Sequence, residues 1–338
     1  MTTQQPRVYV TRKLTGDALG RLSVSARVAI WDGEDAPPYD VLAGEAAGSE
    51  ALVTLLTDRI DAELLGGSPR LRVVANVATG YDNIDLDAAT RLGIAVTNTP
   101  GILEETTADL AFALLLASAR RVAEGDRLVR NGGWTSWSPT LLLGRDVHGA
   151  TLGIVGLGKI GSAVARRALG FGMRVIYFSR RCHSATETEL GVMLRPVNYR
   201  PLDELLSQSD FVSIHLPLTA ETRGLIGRRE LALMKPQAHL INTSRGPLVD
   251  QAALYEALAE GRLGGGGLDV YEEEPLPADS PLISLPNVVL TPHLGSATVV
   301  TRERMADVAV TDCLRALRGE RPTNCLNPEV FAKAAVAV

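Results

Sequence analysis

Short apolar runs alternate with segments of helical periodicity along almost the whole chain, which is the pattern of an open α/β fold with mostly parallel sheets. In the first hundred residues Val8–Thr11, Ala51–Leu56, Leu71–Ala75 and Ile94–Thr97 read as strands, with helices such as Asp17–Leu22 and Asp85–Leu92 between them. From Leu103 a long helical segment runs through Ala119 toward Arg130, and Gly132-Gly133 stops it. Its first half is apolar nearly all round, so it must be buried, between domains or between subunits. The alternation then resumes. Thr151–Val155, Met173–Phe178, Phe211–Leu216, His239–Asn242, Gly267–Val270 and Val288–Thr291 read as further strands. A last helix, about Thr298 to Leu317, closes at Gly319 with Pro322 beyond it. It has no sheet of its own and is expected to cross back onto the first part of the chain. The run Gly264–Gly267 reads as a turn leading into a strand, with Asp269 at that strand's carboxyl end.

One junction in this pattern carries chemistry. The strand ending Ile154-Val155 runs into Gly156-Leu157-Gly158-Lys159-Ile160-Gly161, and the helix after it places Ile160, Val164, Ala165, Ala168 and Leu169 on one stripe. Three glycines so spaced allow a tight turn, a close approach of backbone to a pyrophosphate, and close packing of helix on sheet. A glycine-rich turn alone is weak; a strand before it and a helix and strand after it make a dinucleotide site. Because the motif begins past residue 150, the first part of the chain must build a second domain.

Composition narrows the class. Of 338 residues 46% are hydrophobic and only 4% aromatic, and 34 basic against 39 acidic residues leave a net charge of −5. Neither a nucleic-acid surface nor a membrane surface is implied. Cys182, Cys313 and Cys325 stand apart with no CxxC pairing, so no disulfide framework and no metal site are expected. With a polar start and no apolar leader, the expected location is the cytoplasm.

The cofactor's ribose is read at the end of the second strand, where NAD sites of this type carry an acidic residue. Here Tyr177-Phe178-Ser179-Arg180-Arg181-Cys182-His183 follows, and no carboxylate occurs until Glu187. A guanidinium fork suits a 2′-phosphate that an Asp would repel, so Ser179, Arg180 and Arg181 put NADP ahead of NAD. His183 is placed at the edge of the same phosphate. His148, His215 and His239 read as structural.

Three later motifs leave strands at the same edge as the glycine turn: Asn242-Thr243-Ser244-Arg245-Gly246, Asp269-Val270-Tyr271-Glu272-Glu273-Glu274, and Thr291-Pro292-His293-Leu294-Gly295-Ser296. Taken singly, each could be an ordinary loop. Together an Arg, a Glu and a His suit reduction of a 2-oxoacid. Arg245 would hold the carboxylate and polarise the ketone oxygen. His293 would give the proton, and Glu274 would fix its tautomer and favour the charged ring.

At these residues the chain resembles the D-isomer-specific 2-hydroxyacid dehydrogenase family, over nearly its whole length. Gly80-Tyr-Asp-Asn-Ile-Asp85, Val96-Thr-Asn-Thr-Pro-Gly101, Thr107-Ala-Asp-Leu-Ala111, the glycine turn, and the Arg245, Glu274 and His293 segments all look like its motifs. Asn131-Gly-Gly-Trp134-Thr-Ser-Trp137-Ser-Pro139 and the Ser-Arg-Arg loop are most like its glyoxylate/hydroxypyruvate reductases. The resemblance implies two Rossmann-like domains with a cleft between them: a flavodoxin-like substrate domain of residues 1–102 plus 290–338, and a dinucleotide domain of 103–289. It implies catalytic roles for Arg245, Glu274 and His293. It also implies substrate contacts at the backbone of Thr79 and Gly80 and at Ser296, and cofactor contacts at Pro217, Thr243, Asp269 and Gly295. Thr79 departs from a frequently apolar position, with little consequence expected where the backbone binds. Family members are commonly homodimers, in which the Trp134–Trp137 turn either reaches a neighbour's pocket or packs at the interface. The activity implied is NADPH-dependent reduction of glyoxylate and hydroxypyruvate. Reduction of another 2-oxoacid such as 2-ketogluconate, or a non-catalytic dinucleotide sensor, is the alternative.

Overall fold

In a computed structural model of the chain, which describes residues 5–191 and 197–332, the residues divide into two units. The first is Met1–Leu103 with Ala297–Val338, the second Glu104–Ser296. Each is a parallel sheet with helices, so the α/β class read from the alternation holds.

The first unit has five strands, β1 (Arg7–Val10), β2 (Arg27–Ile30), β3 (Ala51–Thr54), β4 (Val73–Asn76) and β5 (Ala95–Thr97), in the order β2-β1-β3-β4-β5. All pairs are parallel. That is the flavodoxin-like winding. β3, β4 and β5 are buried throughout because they are sandwiched on both faces, which is why they read as unbroken apolar runs. The helix Val299–Leu317, capped at its N-terminus by the Thr298 side chain, lays Met305, Ala306, Ala309, Val310 and Cys313 against Val8, Val10, Val53 and Val73. The last helix therefore completes the first sheet. Asp312, buried at its far end, receives the N–H groups of Thr323 (2.8 Å) and Asn324 (3.1 Å) and anchors the chain that follows.

The second unit has seven strands: β6 (Thr151–Val155), β7 (Arg174–Phe178), β8 (Asn198–Tyr199), β9 (Phe211–Ile214), β10 (His239–Asn242), β11 (Gly265–Leu268) and β12 (Val288–Leu290). Their order is β12-β11-β10-β9-β6-β7-β8, again all parallel. Counted from β6 this is the doubly wound dinucleotide order, whose switch point falls between β6 and β9. The long helix expected from Leu103 is two helices, Glu104–Ala119 and Val122–Arg130, broken where Arg121 takes a left-handed φ of 54°. Its apolar first half packs Ala108, Ala111, Leu114 and Leu115 on the second unit's own core, together with Leu152, Ala165 and Ile241. That places it within one unit.

The glycine run corrects the turn-then-strand reading, since Gly265–Leu268 is itself the strand. A Cβ on Gly267 would stand 2.9 Å from the Leu114 Cβ, and one on Gly265 would stand 2.8 Å from the His239 ring. On this face the helix carrying Leu114 and the His239 ring of the neighbouring strand leave no room for side chains. Asp269 is consequently just past the strand end, where ligands gather in such sheets. Among the described residues no helix is long and apolar enough to cross a membrane.

Candidate active site

The second break between units lies after Ser296, where residue 289 was expected, so the His293 loop belongs to the second unit. Arg245, Glu274 and His293 therefore follow β10, β11 and β12 of one parallel sheet and leave it at the same edge. The glycine turn after β6 leaves that edge too.

The turn fits a dinucleotide. Gly156 has a φ of 103°, and a Cβ there would lie 2.5 Å from the His215 carbonyl oxygen of the neighbouring β9 loop. A Cβ on Gly161 would lie 2.1 Å from the Gly156 oxygen, so the first helical turn rides directly on the loop. At Gly158, by contrast, a Cβ would meet nothing within 4 Å. The backbone is thus bare on the side where phosphates would approach, at the N-terminus of the helix Lys159–Gly170, whose first N–H groups have no side-chain cap. Leu157 is buried in the core, Ile160 is half-buried and Lys159 is exposed, so what Leu157 can offer a cofactor is its backbone. Thr243 contributes a buried hydroxyl with no protein partner, and Pro217 is exposed beside it in the sheet order, after β9.

Past β7 comes the loop in which the 2′-phosphate contacts were expected. Arg180 and Arg181 are exposed, and the Ser179 hydroxyl lies 3.0 Å from His183 Nε2. Glu187, the nearest carboxylate along the chain, is engaged by the Tyr177 hydroxyl at 2.8 Å.

Glu274 and His293 form a close pair. His293 Nδ1 and Glu274 Oε2 are 2.7 Å apart, with about a quarter of each side chain exposed (25% and 24%). The other carboxylate oxygen accepts the Tyr271 N–H at 3.1 Å. Burial alone would raise the Glu274 pKa, but His293, the Tyr271 N–H and the Arg245 charge together hold it below the usual carboxylate value. That effect of Arg245 on Glu274 places the guanidinium's field at the pair. With Nδ1 occupied by a carboxylate, Nε2 is the ring nitrogen left for another partner.

Two devices that sequence reading missed hold these side chains in position. Asn242, almost fully buried at the end of β10, donates from Nδ2 to the Arg245 carbonyl (2.8 Å) and accepts the Ser244 N–H (3.0 Å). Gly246 then packs so closely on the next loop that a Cβ would stand 1.8 Å from the Tyr271 carbonyl carbon. The Arg245 loop and the Glu274 loop are thus locked backbone to backbone. A polar residue at a strand end followed by Arg-Gly was the available signal.

Asp269 and Gly295 were expected at the cofactor. The structure gives them work inside the protein. The buried Asp269 carboxylate accepts the Thr291 hydroxyl (2.6 Å) and the N–H groups of Leu294 (2.7 Å) and Gly295 (2.8 Å). The Gly295 carbonyl accepts the Thr107 hydroxyl at 3.0 Å. His293 itself sits at a φ of 55°, a left-handed conformation that costs a non-glycine residue about 1–2 kcal/mol. Asp269, with its carbonyl oxygen also taking the His293 N–H at 3.0 Å, offsets that strain from three sides. Its burial raises its own pKa despite those donors. Ser296, half-buried, ends the second unit.

The other histidines are accounted for as structure. His215 is buried against Ser213 (2.8 Å) and burial pushes its pKa down to about 3. His239 pairs with Ser118 at 2.7 Å, at the opposite end of β10, and burial with the nearby Arg145 pushes it to about 4. His148 is exposed. In the first unit, taken by itself, the loop after β4 has its carbonyls tied back, Thr79 by Asn98 (2.8 Å) and Gly80 by Asn76 (3.0 Å). The N–H groups of Thr79 and Gly80 have no protein acceptor among the described residues, an arrangement suited to an anionic group.

Comparison with known proteins agrees with this geometry. Residues 112–295 match the family model described as D-isomer specific 2-hydroxyacid dehydrogenase, NAD binding domain. The chain is 53% identical over 327 residues to a glyoxylate reductase of Korarchaeum cryptofilum, covering 96% of this chain and 97% of that one. It superposes on a crystal structure of a Thermus thermophilus protein with a TM-score of 0.88 and 49% identity, covering 95% and 99% of the two chains. An NADPH-dependent glyoxylate/hydroxypyruvate reductase of Sinorhizobium meliloti, crystallised with NADP and malonate, gives a TM-score of 0.84 at 32% identity, covering 97% and 98%. Sequence, winding order and the convergence of Arg245, Glu274 and His293 give one answer: the chain belongs to the D-isomer-specific 2-hydroxyacid dehydrogenase family.

Proposed function

We propose that the protein is an NADPH-dependent reductase of small 2-oxoacids, converting glyoxylate to glycolate and hydroxypyruvate to D-glycerate. The observation that carries the reading is the 2.7 Å pair of Glu274 and His293, with Arg245 acting on it electrostatically. Bound nicotinamide supplies the hydride that reaches the ketone carbon. Arg245 binds the substrate carboxylate and draws electron density toward the ketone oxygen. His293 Nε2 gives its proton to that oxygen as negative charge gathers there, and Glu274 balances the imidazolium until then. Asp269 is a positioning residue that fixes the His293 loop.

Support for NADPH comes from the loop after β7, where two exposed guanidiniums stand and Glu187, the nearest carboxylate along the chain after them, is engaged by Tyr177. Support also comes from the glyoxylate reductase names of the relatives and the NADPH-dependent neighbour. Following absorbance at 340 nm, turnover of both substrates with NADPH is expected, with NADH at least about tenfold poorer in kcat/KM. Arg180→Asp should erase or reverse that ratio, since it places a carboxylate where the 2′-phosphate binds. A variant still preferring NADPH counts against the cofactor assignment; binding without turnover favours a sensor; faster turnover of a C6 oxoacid moves the substrate away from C2 and C3.

The protein is further read as a cytoplasmic homodimer. Val122, Val129, Trp134, Trp137, Leu141 and Leu143 form an exposed apolar stretch on the second unit, with Trp137 76% exposed. A patch of this kind marks an association surface. Sedimentation equilibrium should give twice the chain mass for the wild type and a shift toward monomer for Trp137→Glu; a monomeric wild type refutes the dimer.

A further inference from the structure

We infer that Tyr177 is the positioning residue that sets the cofactor choice, by drawing the Glu187 carboxylate inward and leaving the loop's cations to the 2′-substituent. The inference rests on the NADPH reading and explains how this loop could achieve it. Tyr177 is fully buried at the end of β7. Its hydroxyl donates to Glu187 Oε1 at 2.8 Å and accepts the His183 N–H at 2.8 Å. The Cys182 thiol lies 3.5 Å from the same Glu187 oxygen. The His183 ring stands edge-on to the Tyr177 ring, 6.2 Å between centroids, and its Nε2 meets Ser179 Oγ at 3.0 Å. One buried hydroxyl therefore closes the whole segment from Ser179 to Glu187.

The charge consequence follows. Burial, above all, pushes ionisation of the Tyr177 hydroxyl far above the ordinary phenol range, so it stays a donor to Glu187. With that carboxylate turned toward the strand end, Ser179, Arg180, Arg181 and His183 are the polar groups left for a 2′-phosphate. Glu221, on the loop after β9, feels the Arg180 charge and has its own pKa lowered chiefly by the Thr219 hydroxyl. Without the Tyr177 hydroxyl, Glu187 loses its buried donor. The freed carboxylate would pair with Arg180 or Arg181, weakening the phosphate site, and would offer an acceptor to an unphosphorylated ribose.

Calorimetric titration of the full-length protein with 2′,5′-ADP and with 5′-ADP tests this without turnover. Wild type should favour 2′,5′-ADP. Tyr177→Phe should lose about tenfold of that preference while 5′-ADP affinity stays within about twofold. Adding Glu187→Gln to Tyr177→Phe should restore most of the loss, because the released group is then neutral. Glu187→Gln alone, which keeps an acceptor for Tyr177, should match or exceed the wild-type preference, and it serves if Tyr177→Phe folds poorly. An unchanged preference in Tyr177→Phe, an equal loss for both ligands, or a fall in Glu187→Gln overturns the inference. A wild type with no preference for 2′,5′-ADP overturns the NADPH reading itself, and this inference with it; a wild-type preference that Tyr177→Phe leaves untouched overturns the inference alone.

Discussion

Replacing His293 with Gln is expected to lower kcat for 2-oxoacid reduction by about 10²–10⁴-fold while leaving NADPH affinity within about twofold. The amide can still accept or donate a hydrogen bond beside Glu274, but it has no proton to give at neutral pH. The loss should fall on kcat more than on KM, since the proton moves in the transition state. Cofactor fluorescence titration and steady-state kinetics separate the two. A variant within about fivefold of wild type in kcat removes His293 from proton transfer.

Arg245→Ala carries the second large effect. A charge-assisted contact to the substrate carboxylate is lost, and so is the field that helps lower the Glu274 pKa. Removing one preorganised electrostatic donor typically costs about 10²–10³ in rate. Here kcat/KM should fall by at least that much, with both kcat and KM affected. Arg245→Lys should recover only part of it, because an ammonium cannot reproduce the planar fork. Measured kcat/KM values for a 2-oxoacid and for the matching aldehyde without the carboxylate give the check. If both substrates lose equally in Arg245→Ala, the guanidinium is not the carboxylate's partner.

Much of this site was legible because its chemistry sits where strands end. Glycines at 156, 158 and 161 after an apolar strand, and Arg, Glu and His after three later strands, are local signals that parallel winding brings to one edge. What escaped were features set by distant neighbours. β2 is a partly exposed edge strand with the burial of Arg27–Ile30 running exposed, intermediate, intermediate, exposed, so it gives no apolar run. β8 has only two residues, Asn198 and Tyr199. The break at Arg121 carries no glycine or proline to announce it. Gly265–Leu268 looks like a turn by composition and is a strand paired with β10 and β12; its glycines leave room for Leu114 and the His239 ring on one face. The hydrogen bonds by which Asp269 holds the His293 loop had no signal in the sequence. The positions of Asn242, Gly246 and Tyr177 gain meaning only from partners in other loops.

The pH dependence isolates the proton donor. Glu274, with its pKa lowered, is ionised throughout the neutral range, and the stability its pairing contributes is lost only as pH falls below about 4.5, through its folded value. His215 and His239, pushed to about 3 and about 4, are neutral there, and Tyr271 is pushed up to about 12. Asp269 is held above the usual carboxylate value, chiefly by burial. Glu274, His215, His239 and Tyr271 keep their charge between pH 6 and 9, the window in which imidazoles commonly change theirs.

Single-turnover reduction of glyoxylate, with NADPH saturating, should therefore be followed across that window in wild type and in His293→Gln. The account predicts a wild-type rate that falls tenfold per pH unit on the basic side and a variant rate that is slow and flat. A variant that keeps the same basic fall would assign the proton to some other group and contradict the account.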